Sequence, residues 1–67
     1  MQDSIEKLVN DCIEIKFMEI KAEQIYKTLL PYITDEKDRA VLQGIITDEQ
    51  HHARIAQEMV DLLEAPE

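Results

Sequence analysis

The segment ITDEQHHARIAQEM, residues 46–59, sets Glu49 and His52 three residues apart. On a helix that spacing is close to one turn, so the two side chains share a face. The pair offers an anionic oxygen and an imidazole nitrogen, a donor combination suited to first-row metal ions. Glu-x-x-His alone is common by chance in acidic helices, so its surroundings decide its weight. Leu42, Ile45, Glu49, His52, Ala56, Met59 and Leu63 follow one another at alternating steps of three and four. That is the period of a helical packing stripe, apolar except at its centre. A third candidate, Glu19, occupies the same kind of place in the first half of the chain. With Ile5 as position a of a heptad, the a positions are Ile5, Cys12, Glu19, Tyr26 and Ile33, and the d positions are Leu8, Ile15, Ala22 and Leu29. Lys7, Glu14, Lys21 and Thr28 form a wet spine on the far side.

Two helices must position these residues. Pro31, in LLPYITDEKD, is the one break in the pattern. A proline pushes the residue before it out of helical geometry, so the first helix is expected over about 4–30, with a turn at 31–34. The second helix is expected over about 35–64. Asp3 or Ser4 can cap the first helix and Thr34 or Asp35 the second, where Asp35, Glu36 and Asp38 suit the positive end of the dipole. Pro66 falls in a frayed tail. Glu19 stands 15 residues before Thr34, and Glu49 stands 15 residues after it. At ~1.5 Å per residue both lie ~22 Å from the turn. An antiparallel hairpin therefore brings them level, with His52 one turn further on.

The apolar surface exceeds what one stripe can use. Val9, Ile13, Phe17 and Ile20 form a second line on the first helix, and Met18 and Ile25 add a third patch. Ile46, Ala53 and Val60 lie beside the main stripe of the second helix. A two-helix hairpin cannot cover all of this. The expectation is an all-α hairpin that dimerises into a four-helix bundle, giving a homodimer or a larger even-numbered homo-oligomer.

The bulk properties agree with that expectation. A chain of 67 residues is one small domain and needs a metal or a partner to be stable. Its one cysteine, Cys12, permits no intrachain disulfide. The net charge of −8 disfavours nucleic acid and anionic membrane and favours cations. No apolar run approaches the ~20 residues of a membrane span. The start, MQDSIEKLVN, is too polar for a secretory signal, so a cytoplasmic location is expected.

Two hairpins around a two-fold axis would bring together four carboxylates and two imidazoles. Leaving them ionised, buried and unpaired would cost several kcal/mol each. Two divalent ions neutralise the four carboxylates. The oxygen and nitrogen donors suit iron or manganese, and no thiolate set favours zinc or an iron–sulfur cluster. One Glu from each of two helices plus Glu-x-x-His from the other two is the ligand set of carboxylate-bridged di-iron bundles.

The residues that carry this pattern also carry a resemblance. Glu19, Ala22 and Tyr26 resemble the E-x-x-A-x-x-x-Y of ferritin-like first helices. DEQHHARIAQEM resembles the E-x-x-H-A segment of rubrerythrins and encapsulated ferritins. The two-helix length is most similar to encapsulated ferritins, half-ferritins whose ferroxidase site forms between two subunits. The resemblance runs over residues 4–63 and rests on a short motif. It implies a di-iron ferroxidase that oxidises Fe²⁺ to Fe³⁺ with dioxygen or peroxide, for iron storage or detoxification. It implies Glu19, Glu49 and His52 as iron ligands, and Tyr26 as a neighbour that bonds a ligand carboxylate or passes an electron. Manganese is the alternative metal. An encapsulin shell protein is the partner the family suggests. The tail DLLEAPE lacks the extended peptide that directs such cargo. Met18 and Lys21 stand where the family carries acidic flanking residues, and Ile25 where an aromatic is common. The cysteine pairs of full rubrerythrins are absent, which argues against self-contained peroxide reduction.

The remaining chemically interesting residues have plainer readings. Cys12 reads as a small buried hydrophobe, His51 as a surface residue about 100° away from His52, and Glu23 as a solvated carboxylate one turn out of level. The rival to the enzyme reading is a non-catalytic helical oligomerisation module whose polar layer sets register.

Overall fold

The computed structural model describes residues 2–65. The chain is an antiparallel helical hairpin. Helix α1 spans Gln2–Leu29, a 3-10 turn follows at Leu30–Tyr32, and helix α2 spans Glu36–Glu64. No strand occurs among the described residues. Of the caps expected for α1, Ser4 lies inside the helix. The Asp3 side chain and Pro66 fall outside what is described.

The break forms as the sequence dictates. Pro31 enters at the start of the 3-10 turn, where a missing N–H costs nothing. Asp35 is the N-cap of α2, and its carboxylate accepts from the Asp38 N–H at 2.9 Å. Arg39 closes the corner. Its Nη1 donates to the Leu30 carbonyl at 2.6 Å and to the Ile33 carbonyl at 2.9 Å. Carbonyls at a helix end otherwise lack protein donors, so one guanidinium staples the end of α1 to the start of α2.

The packing between the helices corrects one expectation. The a/d stripe of α1 was expected to face α2. Instead the d positions Leu8, Ile15 and Leu29 are exposed, as is Ile5. Val9 is buried, and Ile13, Lys16, Ile20 and Glu23 are half-buried, nearly a quarter turn around the helix. Against them α2 sets Ile46, Ala56 and Val60, all buried, with Ala53 half-buried. Phe17, expected on the second line, points to solvent. The reason is geometric. Helix α1 carries two apolar stripes, and the one helix packed against it covers only one of them. Periodicity reveals the stripes but does not say which neighbour each one meets.

The hairpin measures 51 × 17 × 11 Å. Measured along the Cα trace, this is a single layer of two helices, so nothing in it can be enclosed on all sides. Accordingly no described side chain is fully buried, and the core is four residues: Val9, Ile46, Ala56 and Val60. The opposite edges of the two apolar lines lie open. Ile15 is 48 % exposed and Met59 49 %, with Leu8, Ile45 and Leu62 also exposed.

Candidate metal centre

Glu19 comes from the middle of α1, and Glu49 and His52 from the middle of α2. One donor atom from each lies within 4.8 Å of the other two. Glu19 Oε2 stands 3.8 Å from His52 Nδ1. The level estimated by counting from the turn is thus the level at which the side chains meet. Glu19 and Glu49 are half-buried, and His52 is 55 % exposed by its side chain, on the open face. The three sit on the border between the helix–helix contact and the unpartnered apolar surface.

The donor set fits a metal ion. A first-row ion bonded ~2.1 Å from each of two donors holds them roughly 3.0–4.2 Å apart, depending on the angle between them. The 3.8 Å separation falls in that range, and closing the widest pair takes a few tenths of an ångström of rotamer adjustment. Two carboxylates and one imidazole supply two negative charges and three protein ligands. That leaves other coordination positions for a further ligand, as open reactive sites require.

Beside the cluster runs a cleft of about 250 Å³ lined by Cys12, Ile15, Glu19, His52, Ile55, Ala56 and Met59. Through Cys12 and Met59 it joins a second depression bordered by Leu8, Leu62 and Leu63. Cys12 is half-buried here, on the apolar wall, where a small hydrophobe belongs. The larger cleft, about 510 Å³ between Ile5, Val9 and Leu63, lies at the open end of the hairpin. It is the splay of two helix ends, and the donor cluster lies elsewhere.

Tyr26 is half-buried on α1, two turns from Glu19, about 10 Å along the axis. It is not part of the three-residue cluster. His51 is exposed, as expected. Glu23 departs from expectation. Its side chain is only 18 % exposed, with Lys27 Nζ 2.8 Å from its Oε2. The Lys27 ammonium holds the Glu23 carboxyl below its ordinary range, against the opposing effect of burial, and Gln50 on α2 adds to this. A further polar link crosses between the helices: Lys16 Nζ donates to Gln57 Oε1 at 2.7 Å. The signal for it was present in the sequence, since Lys16 interrupts the line Val9, Ile13, Ile20 at a helical step.

The chain matches no protein-family model, no curated protein and no solved structure. No helix among the described residues is long and apolar enough to cross a membrane.

Proposed function

We propose that the chain is half of a di-iron ferroxidase of the ferritin-like kind, completed by a second copy across a two-fold axis. The observation that carries this reading is the meeting of Glu19, Glu49 and His52, from two helices, at the edge of an open apolar face. The substrate is Fe²⁺. In the pair of hairpins, four carboxylates balance the charge of two ions, and two imidazoles fix their orientation. One electron from each of two Fe²⁺ ions reduces peroxide to water, or dioxygen to hydrogen peroxide, with two protons taken up. Anionic oxygen donors stabilise the Fe³⁺ product over Fe²⁺ because they gain more from the higher charge. The protein contributes placement, charge and, once the second hairpin covers the trough, a site shielded from water.

Two features support the second copy. The single layer of two helices cannot enclose its own site, and its exposed apolar edge is continuous with the cluster. On α1 the buried line and the open line lie nearly a quarter turn apart, which is the angle between the two neighbours of a helix in a square bundle. Glu19 lies between the two lines and so would point toward the bundle axis.

The test is anaerobic addition of Fe²⁺ followed by air. The proposal expects about one iron per chain and a fast rise in near-ultraviolet absorbance, both lost in Glu49→Ala. A helical oligomerisation module without metal chemistry gives neither signal in the wild type. Metal analysis of protein from its native cells separates iron from manganese.

A further inference from the structure

The contacts that hold α1 against α2 are mostly apolar and, on α2, partly small: Ala53 and Ala56 lie opposite the Val9–Ile20 line. Apolar contact is non-directional, and alanines offer little relief to resist rotation. Yet the donor cluster is sensitive to rotation. A side-chain tip sits 5–6 Å from the helix axis, so turning α2 by 20° carries Glu49 and His52 roughly 2 Å. Metal–ligand distances tolerate about 0.2 Å. Something directional must fix the angle.

The polar interruptions of the interface lie where they could do so. Lys16 is one turn from Glu19 toward the open end, and Gln57 is five residues beyond His52 in the same direction. Lys16 Nζ bonds Gln57 Oε1 at 2.7 Å, and Gln57 Nε2 bonds Asp61 Oδ1 at 2.9 Å. Both ends of the Gln57 amide are therefore committed, which pins its rotamer. Lys16 and Gln57 are both half-buried, so the bond is shielded in part from competing water. On the opposite flank, one turn from Glu19 toward the corner, the covered Glu23 carboxylate pairs with the exposed Lys27 and meets Gln50 of α2.

We infer that Lys16 and Gln57 are positioning residues: their interhelical hydrogen bond fixes the rotation of α2 against α1 so that Glu49 and His52 face Glu19. This rests on the metal-centre reading above. Methionine at position 16 keeps the apolar stem of the lysine in the contact, and the half-buried Gln57 amide can take a water in place of the ammonium, so the hairpin should lose little stability. Register at the metal would be lost while the fold was kept. A merely structural lysine gives no such split.

The experiment compares wild type, Lys16→Met, Lys16→Arg and Gln57→Glu by two readouts. One is thermal unfolding of the metal-free protein. The other is titration with Co²⁺, followed by its visible absorption, which reports affinity and ligand geometry together. Lys16→Met is expected to unfold close to the wild-type temperature, yet to bind Co²⁺ at least about tenfold more weakly, the lower range for losing a residue that orients ligands. Its band shape should change as well. Lys16→Arg keeps a donor for Gln57 and should hold both affinity and spectrum at wild type, whereas Gln57→Glu keeps the link to Lys16 but loses the donor to Asp61 and should hold them only in part. The inference is overturned if Lys16→Met binds Co²⁺ with wild-type affinity and spectrum. It is equally overturned if affinity falls only in step with thermal stability and neither conservative variant rescues it. A wild type that takes up no Co²⁺ removes the metal centre itself, and the clamp with it.

Discussion

At the scale of single residues, the proposed metal centre requires Glu19, Glu49 and His52 to act together. Removing any of them leaves the others as a weak surface pair. His52→Ala should therefore weaken Fe²⁺ or Co²⁺ binding by about 100-fold or more, beyond the cost of losing a residue that only orients a ligand. Equilibrium titration under anaerobic conditions measures this. Tyr26→Phe should behave differently. At about 10 Å along α1 from Glu19 the phenol is too far to be a ligand, so metal affinity should be unchanged. Any deficit should appear only in the oxidation rate after mixing with air. Glu23 makes a prediction of another kind. Its carboxyl is held below the ordinary value of 4.5 by Lys27, with a lesser contribution from Gln50. A group whose pKa is lower when folded adds stability above its unfolded pKa, and that stability is lost as pH falls through the folded value. Thermal unfolding of the metal-free protein should therefore lose stability as pH drops below about 4.5. Glu23→Gln should flatten that part of the profile. An unchanged profile would mean the pair is too mobile to matter.

At the scale of elements, the helices follow from period, one proline and one cap. Asp35→Ala removes the acceptor for the Asp38 N–H, a loss of about 1 kcal/mol, measurable by denaturant titration. Gly44 offers the reverse. It lies within α2 without positive φ, and a Cβ there would meet nothing within 4 Å. Gly44→Ala should stabilise by about 0.5–1 kcal/mol, because glycine loses more backbone freedom than alanine on entering a helix. Much at this scale was legible in the residues. Pro31 marked the corner, Asp35 marked the start of α2, and counting from Thr34 brought Glu19 level with Glu49. What was not legible was rotation. Two apolar lines run along α1, and period alone does not say that Val9, Ile13 and Ile20 are the ones that meet α2. Glu23 reads from the sequence as a solvated carboxylate, but its side chain is covered, paired with Lys27 one turn on and meeting Gln50 on the other helix, a contact that period along α1 alone does not reveal. His52 was expected inside, and in one chain it lies on the open face. Burial at that position depends on what the face meets, and the chain alone does not specify that.

At the scale of the whole molecule, the hairpin leaves an apolar face open. A single layer of two helices cannot shield a charged cluster, and a trough walled by Ile15, Ile55 and Met59 is costly to leave in water. A second hairpin set against this trough would solve both problems at once. Met59→Glu should therefore keep the helical content of the hairpin while abolishing its self-association, as read by sedimentation. The most direct test of the account is native mass spectrometry of the wild type with and without anaerobic Fe²⁺, run beside Glu49→Ala. The account predicts a wild-type dimer, or an even multiple of it, holding two iron ions per pair of chains, and no retained iron in the variant. Single wild-type chains at every iron concentration, or a variant that keeps as much iron as the wild type, would contradict it.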